Sequence, residues 1–480
     1  MNGSAKARLA YRAVPAALLA LGLAGCGTLS GPSAMSDHAI PLPAAWSGQE
    51  GAEAAPSAAF DDASYWRALG DPALTELVEA ALAHNLDLAQ SAARLEQSRE
   101  ALAQARAGFL PQLNASGGAR QDILDGGGGD PLLNLGVDAS WEADLFGRIG
   151  NSASAARYDY ESAGYSLDDL RRVIAGQVAG QVISARAAAA QLAIARDTLR
   201  IQDENLQIAR WRNQAGLVSS LDVEQARSQR AQTAASIPLL ESSLAATANA
   251  ISTLAGETPG RVRELLAAPA VIPAPPRLAG LAAPADILRR RPDIRGAEAN
   301  LYAAGARIGV ARAQLYPALR LAGTIGTNDA GPLNLFDMVT GSISATLSQL
   351  LFDGGRTRSQ IRSAEAAAEG SLAAWRKSIL TALEEVESAI AARRAADARL
   401  IELTEALDAA NNAAILARSQ YQAGLTDFQT LLSAESQLLN ARNSLASAEA
   451  DRATAFVRLT QALGGGWSGA TALSDDGTTP

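Results

Sequence analysis

Cysteine, histidine and lysine are almost missing from this chain. Its 480 residues hold one cysteine and two histidines, and only Lys6 and Lys377 are lysines. With Cys26 alone, no internal disulfide is possible. His38 and His84 make no metal site of recognisable spacing. Aromatic residues reach only 4%, fewer than a globular core of this length normally carries. Abundant Ala, Leu, Gln, Arg and Glu suit long helices packed through small side chains instead. No G-x-S-x-G motif, phosphate loop or His-rich cluster stands out, so neither an enzyme nor a cofactor is implied. A formal net charge of −9 argues against nucleic acid as a partner. Beyond the N-terminus no run of 18 apolar residues exists, so no transmembrane helix is predicted.

What is present begins with an address. Lys6, Arg8 and Arg12 precede an apolar run from Val14 to Leu23, which ends in Leu23-Ala24-Gly25-Cys26. That pattern predicts a secretory signal over residues 1–25. Residues 26–62, rich in Ala, Pro, Ser and Gly, read as an extended tether without a core of its own.

One long stretch is written twice. Arg148, the turn Gln214-Ala215-Gly216-Leu217 and Gly256 recur as Arg356, Gln422-Ala423-Gly424-Leu425 and Gly464, at an offset of 208 residues. Arg106 and Pro111 recur as Arg312 and Pro317, offset by 206. A fixed period this long marks a duplicated unit. The predicted layout is a first repeat at 72–256, a Pro-rich linker at 257–283, a second repeat at 284–464 and a tail at 465–480. Each repeat should open with a helix (from Pro72 to Gly108, then from about Pro284 to Leu315), with Asp71 as an N-cap.

After Pro111 and after Pro317 the period switches to two, which predicts β-hairpins at 113–145 and 319–352. Leu135, Val137, Ala139 and Trp141 alternate with Gly136, Asp138, Ser140 and Glu142; Ile343, Ala345 and Leu347 alternate with serines and a threonine. Gly-rich loops, Asp125 to Asp130 and Asn328 to Gly341, join the strands. Phe109, Phe146, Tyr316 and Phe352 all fall where a strand meets a helix, as an aromatic girdle at a membrane interface would. Four strands cannot close a barrel, and an open edge is forbidden in lipid, so sister copies must complete it. The helices from about 150 to 214 and from 356 to 422 should each reach about 100 Å. The shorter return helices match that length only when stacked on the first helix of their unit.

Together these residues resemble the TolC-type outer-membrane efflux channels. The resemblance is carried by Trp141-Glu142-Ala143-Asp144-Leu145-Phe146-Gly147-Arg148, Arg289-Arg290-Arg291-Pro292-Asp293, Leu351-Phe352-Asp353-Gly354-Gly355-Arg356, Tyr421-Gln422-Ala423-Gly424-Leu425-Thr426-Asp427-Phe428 and Ala462-Leu463-Gly464-Gly465-Gly466-Trp467. Leu23 to Cys26 looks like a bacterial lipobox, as in the nodulation protein T-like lipoprotein branch, and implies lipidation of Cys26 and sorting to the outer membrane. The implied fold is mainly α with a β-barrel part: a homotrimer whose twelve-strand barrel continues into a periplasmic helical barrel. Implied partners are a periplasmic adaptor, an inner-membrane pump of the resistance-nodulation-division type and outer-membrane lipid. The tips Gly216, Leu217, Gly424 and Leu425 would dock the adaptor. Tyr421, Asp427 and Thr430 would form the periplasmic constriction, although Thr430 and Ser433 are uncharged and leave Asp427 as its main acid.

Helix caps explain several of these residues equally well. Gly216 and Gly424 suit left-handed caps, Asp427 and Asp222 suit helix N-termini, and Asp144 and Asp353 suit strand-to-helix turns. Arg289 to Arg291 read as a structural ion-pair group rather than a phosphate site. Two rival readings stay open: a conduit for protein secretion or metal ions, and a periplasmic coiled-coil spacer with a solvated hairpin. Only Met1, Met35 and Met338 are available to line a metal duct.

Overall fold

The opening helices of the first repeat start where the sequence supplies a capping side chain and break where it supplies a competitor. The computed structural model describes residues 43, 46, 62–121, 123–124, 127–128, 132–267, 271–276, 290–329 and 339–466. The leader, Cys26, most of the tether, Arg289 and residues 467–480 lie outside them. Helix α1 (Pro72–His84) opens on Asp71, whose carboxylate accepts from the backbone N–H groups of Ala73 and Leu74. The single helix predicted from Pro72 to Gly108 is two. Asn85 adopts an extended backbone and its Oδ1 accepts from Asp87 and Leu88, so α2 (Leu86–Ala107) begins afresh. A side chain that bonds its own backbone competes with the helical ladder.

Among the described residues six further α-helices follow. They are α3 (Arg148–Gln214), α4 (Ser220–Leu254), α5 (Arg261–Ala267), α6 (Pro292–Ala313), α7 (Arg356–Gln422) and α8 (Phe428–Ala462). Helices α3 and α7 have 67 residues each, or about 100 Å at 1.5 Å per residue. Helix α5 lies inside the predicted 257–283 linker, where Pro-rich composition gave no sign of it. The predicted start of α6 at Pro284 falls outside the described residues.

The return helices are spliced onto the opening helices as their lengths require. In the first repeat the Asn85 amide donates to the carbonyl of Leu254 at 2.8 Å. Gly256 turns left-handed there (φ 69°), and a Cβ on it would collide with the His84 carbonyl. The second repeat makes the same joint with Arg291, which donates to the Ala462 carbonyl at 3.1 Å. Both joints sit at equivalent repeat positions.

Four rods thus lie side by side: α2 with α4, then α3, then α6 with α8, then α7. Much of their packing is through Ala, Gly and Ser, as along α3 from Ala155 to Ala209, which accounts for the scarcity of aromatics. A belt crosses the rods part-way along. A short 3-10 helix (Asp62–Leu69), α1 and α5 bring Tyr65, Trp66, Leu74, Leu77, Val78 and Val262 onto Val178, Val182, Ile251 and Phe456. Each such fully buried side chain stabilises by about 1.5–3 kcal/mol. Arg186 of α3 locks this belt through Asp71 at 2.8 Å, with both partners buried. The tether also contributes to the core, against expectation: Trp46 is buried against Val386, Ala389, Ile390 and Leu459.

The strands form one antiparallel sheet in chain order: β1 (Gln112–Arg120), β2 (Leu132–Ala143), β3 (Ala318–Asp329) and β4 (Val339–Ser348). At the first hairpin's tip Ile123–Leu124 pairs with Gly127–Gly128; the rest of both Gly-rich loops is largely undescribed. Register puts Leu113, Ala139, Gly323 and Ile343 in one row, with Val137 beside Ile325 and Trp141 beside Leu321. That face is apolar. The opposite face carries Asn114, Asp138, Thr324 and Ser342 in one row. Nothing among the described residues covers the apolar face, where Ile343 is 94% exposed.

Candidate functional site

The far ends of the rods are two turns built to one design. Gly216 and Gly424 adopt φ of 73° and 74°. The N–H groups of Leu217 and Leu425 reach back to the carbonyls of Arg212 and Gln420 at 2.8 and 2.9 Å. This closure satisfies carbonyls that a helix end would leave orphaned. Leu217 and Leu425 are then left 70% and 79% exposed, which presents two apolar side chains and bare glycine backbone at the tip.

The next helix begins with a cap at equivalent positions, Ser219 in the first repeat and Asp427 in the second. Ser219 accepts from the Asp222 N–H, which makes Asp222 a first-turn residue of α4. Asp427 Oδ1 accepts from the Thr430 N–H at 2.7 Å. Hydrogen bonds from the Thr430 side chain and backbone hold the exposed Asp427 carboxyl below its usual range.

Of the predicted constriction residues, the structure brings Asp427 and Thr430 together and puts Tyr421 elsewhere. Tyr421 is 4% exposed, packed among Leu206, Ala209, Ala226, Phe428 and Leu431. Its ring lies 5.3 Å from that of Phe428, and the Arg212 guanidinium sits 4.6 Å over its centroid. Arg212 also donates to the Tyr421 carbonyl at 3.0 Å. In the single chain, therefore, Tyr421 lies inside the helix cluster at the tip and is not displayed on a surface.

Sequence reading missed Arg212 and a second tie nearby. Glu435 of α8 is buried and accepts from both the Asn205 amide of α3 and Arg418 of α7. The available signal was a carboxylate on the apolar stripe Phe428, Leu431, Glu435, Leu438. Such a residue is rarely buried without partners. The three groups bind three rods together some way above the tips.

At the other end, Asp144 and Asp353 cap α3 and α7. Asp144 accepts from Ile149 and Gly150, and Asp353 from Gly355 and Thr357. These bonds, first from the Thr357 hydroxyl and N–H, hold Asp353 below the usual carboxylate range. Phe146 and Tyr316 stack at 4.8 Å, the Trp141 indole donates to the Phe109 carbonyl at 2.8 Å, and Phe352 is 88% exposed. Of the arginine run, Arg291 is buried between Asp293 and Glu385 and so serves the joint. Among the described residues no group of three or more His, Cys, Asp and Glu is placed to hold a metal.

A bare amphipathic sheet joined to paired rods of about 100 Å defines a class: outer-membrane channel proteins with a helical periplasmic extension. Comparison with known proteins agrees. Residues 77–257 and 283–465 match the model of the outer membrane efflux protein family, and the chain belongs to that family. It is 31% identical over 461 residues to the pyoverdine export outer membrane protein OpmQ of Pseudomonas putida, covering 94% of this chain and 96% of that one. It is 29% identical over 418 residues to nodulation protein T of Rhizobium leguminosarum bv. trifolii, covering 84% and 88%. Among solved structures, the outer-membrane channel OprN superimposes with a TM-score of 0.82 at 31% identity, covering 90% of this chain and 98% of that one. VceC of Vibrio cholerae does so with a TM-score of 0.76 at 25% identity, covering 85% and 99%. The protein is a TolC-type outer-membrane efflux channel component of Gram-negative bacteria.

Proposed function

We propose that three copies close a twelve-strand barrel and that their rods continue it as a duct, lipid-anchored at Cys26. The observation that carries this reading is the sheet: four strands which, among the described residues, are unpaired at β1 and β4 and have an uncovered apolar face. In lipid every strand edge must be paired, and the apolar face supplies the lipid contact. A solvated hairpin would instead bury that face on a core. Phe109, Phe146, Tyr316 and Phe352 mark the periplasmic interface.

The tips Gly216, Leu217, Gly424 and Leu425 dock a periplasmic adaptor, which couples the duct to an inner-membrane pump of the resistance-nodulation-division type. Their exposed leucines and side-chain-free turns suit a helical partner. Asp427, kept ionised by its hydrogen bonds, gives a threefold assembly a ring of negative charge near the mouth, and such rings favour cations. Thr430 flanks it, and Tyr421 packs behind it inside the helix cluster. The Arg212–Tyr421 and Asn205–Glu435–Arg418 ties hold the α7–α8 tip to α3, so widening the mouth requires them to release. No catalytic step is involved, and the exported cargo is small toxic compounds.

Planar-bilayer conductance together with the oligomer mass of the purified protein tests the assembly. Discrete channels from a trimer are expected; a silent monomer ends the proposal. Gly424→Trp is expected to abolish cross-linking to the adaptor while trimers persist. Undiminished cross-linking would show that this turn is not the docking point.

A further inference from the structure

The junction between sheet and rods carries a positive charge that the chain does not balance. Within about two helical turns of the strands, segments 101–107, 148–154, 307–313 and 356–362 contain seven arginines. The carboxylates at this level are fewer: Glu142 at the end of β2, and Asp144 and Asp353 in the strand-to-helix turns, where Asp353 interacts by charge with Arg356 alone. The whole chain, by contrast, has a net charge of −9. Immediately on the strand side, Phe109, Leu110, Leu145, Leu351 and Phe352 are all exposed. An apolar ring therefore lies directly against a basic one.

Comparing the two seams of the repeat shows where the excess sits. At the seam inside the chain, where α3 meets α6, acids neutralise the arginines. Arg307 of α6 pairs with Asp159 of α3 across it at 2.6 Å, and Arg148 at the start of α3 pairs with Glu142 of β2 at 2.7 Å; Arg312 of α6 is neutralised from the other side, by Glu365 of α7 at 2.7 Å. At the outer edges, where α2 ends and α7 begins, the equivalents of Arg307 and Asp159 are Ala101 and Ala367. Arg358 and Arg362, however, stand where the first repeat has Gly150 and Ser154. Arg106, Arg356, Arg358 and Arg362 are exposed and make no ion pair among the described residues; Arg362 bonds only the Ser359 hydroxyl. By repeat symmetry a neighbouring copy brings the end of its α2 to this seam. That segment adds another arginine and no acid.

We infer that this collar binds the phosphate groups of phospholipids on the periplasmic side of the outer membrane, at the seams between copies. The inference rests on the membrane-spanning reading above. Guanidinium forks match phosphate oxygens in geometry and charge. The neighbouring apolar ring places acyl chains on one side and headgroups on the other.

The test uses the full mature protein, purified in detergent and delipidated, with native mass spectrometry counting bound lipid. Phosphatidylglycerol is expected to be retained well above diacylglycerol of the same chains, and to fall away with salt. Arg106→Gln, Arg358→Gln and Arg362→Gln are each expected to weaken retention about fivefold, and the triple variant about a hundredfold, from roughly 1 kcal/mol per surface arginine. The triple Arg→Lys variant should keep most of it, and Arg200→Gln, far along α3, all of it. Equal retention of the two lipids, an unaffected triple Gln variant, or full displacement by inorganic phosphate at matched ionic strength would each overturn the collar. Bilayer insertion is read in parallel. Protein that inserts but binds lipid without regard to phosphate sinks the collar alone, whereas protein that never inserts sinks the channel reading with it.

Discussion

The two repeats make the same joint with different chemistry. At Asn85 a neutral amide caps α2 and bonds the Leu254 carbonyl, using one side chain and no charge. At Arg291, the equivalent position, a buried guanidinium bonds the Ala462 carbonyl, Asp293 and Glu385. Burial works against the Arg291 cation, yet these partners raise its pKa above the ordinary value. What was duplicated is the backbone geometry, in which a return helix ends against the start of an opening helix. The side chain that holds it was free to change, provided the orphaned carbonyl found a donor.

That comparison is sharpest by substitution at the two joints. Arg291→Ala removes one partner of a buried ion network and strands Asp293, so it is expected to cost about 3–5 kcal/mol. Asn85→Ala loses a cap and one hydrogen bond, about 1–2 kcal/mol. Thermal unfolding followed by circular dichroism ranks them, and equal losses would show that the charge at the second joint adds nothing.

A smaller effect separates the charged parts by pH. Burial alone would push Asp71 up, but Arg186 and the N–H groups of Leu74 and Ala73 outweigh it and lower its pKa. A carboxyl whose folded pKa is lowered gives stability that is full above its unfolded value, about 3.9. That stability drains away as pH falls through the folded value. The melting temperature of the natural chain should therefore drop below about pH 4 more steeply than that of Asp71→Asn.

The smallest difference lies at the tips. Ser219→Ala is expected to lose about 1 kcal/mol at any pH, because a hydroxyl cap does not titrate. The Asp427 cap should weaken only in acid, since its lowered pKa keeps it ionised above the carboxylate range. Hydrogen exchange at the first amides of α4 and α8, compared at two pH values, reads this directly.

Some of this was legible in the residues and some was not. The duplication, the tip turns, the Asp71 cap and the two-residue alternation of the strands were, because each is a local pattern repeated along one element. The break at Asn85 was missed, since asparagine inside a helical pattern gives a weak signal until its side chain is seen capping the next helix. Trp46 looked like part of a tether because its seat is formed by residues more than 300 positions away. Tyr421 was expected at a constriction. Phe428 and Arg212 draw it into the cluster, and Arg212 comes from the other tip.

Sequence by itself determined the repeat, the length of the rods, the turn geometry and the two faces of the sheet, because periodicity and backbone preference act between near neighbours. Tertiary structure decided the partners: which carbonyl Asn85 and Arg291 satisfy, which acids neutralise which arginines, and where Tyr421 and Trp46 are buried. Those pairings join positions far apart in the chain, and burial and Coulomb attraction depend on distance in space, which no local pattern records.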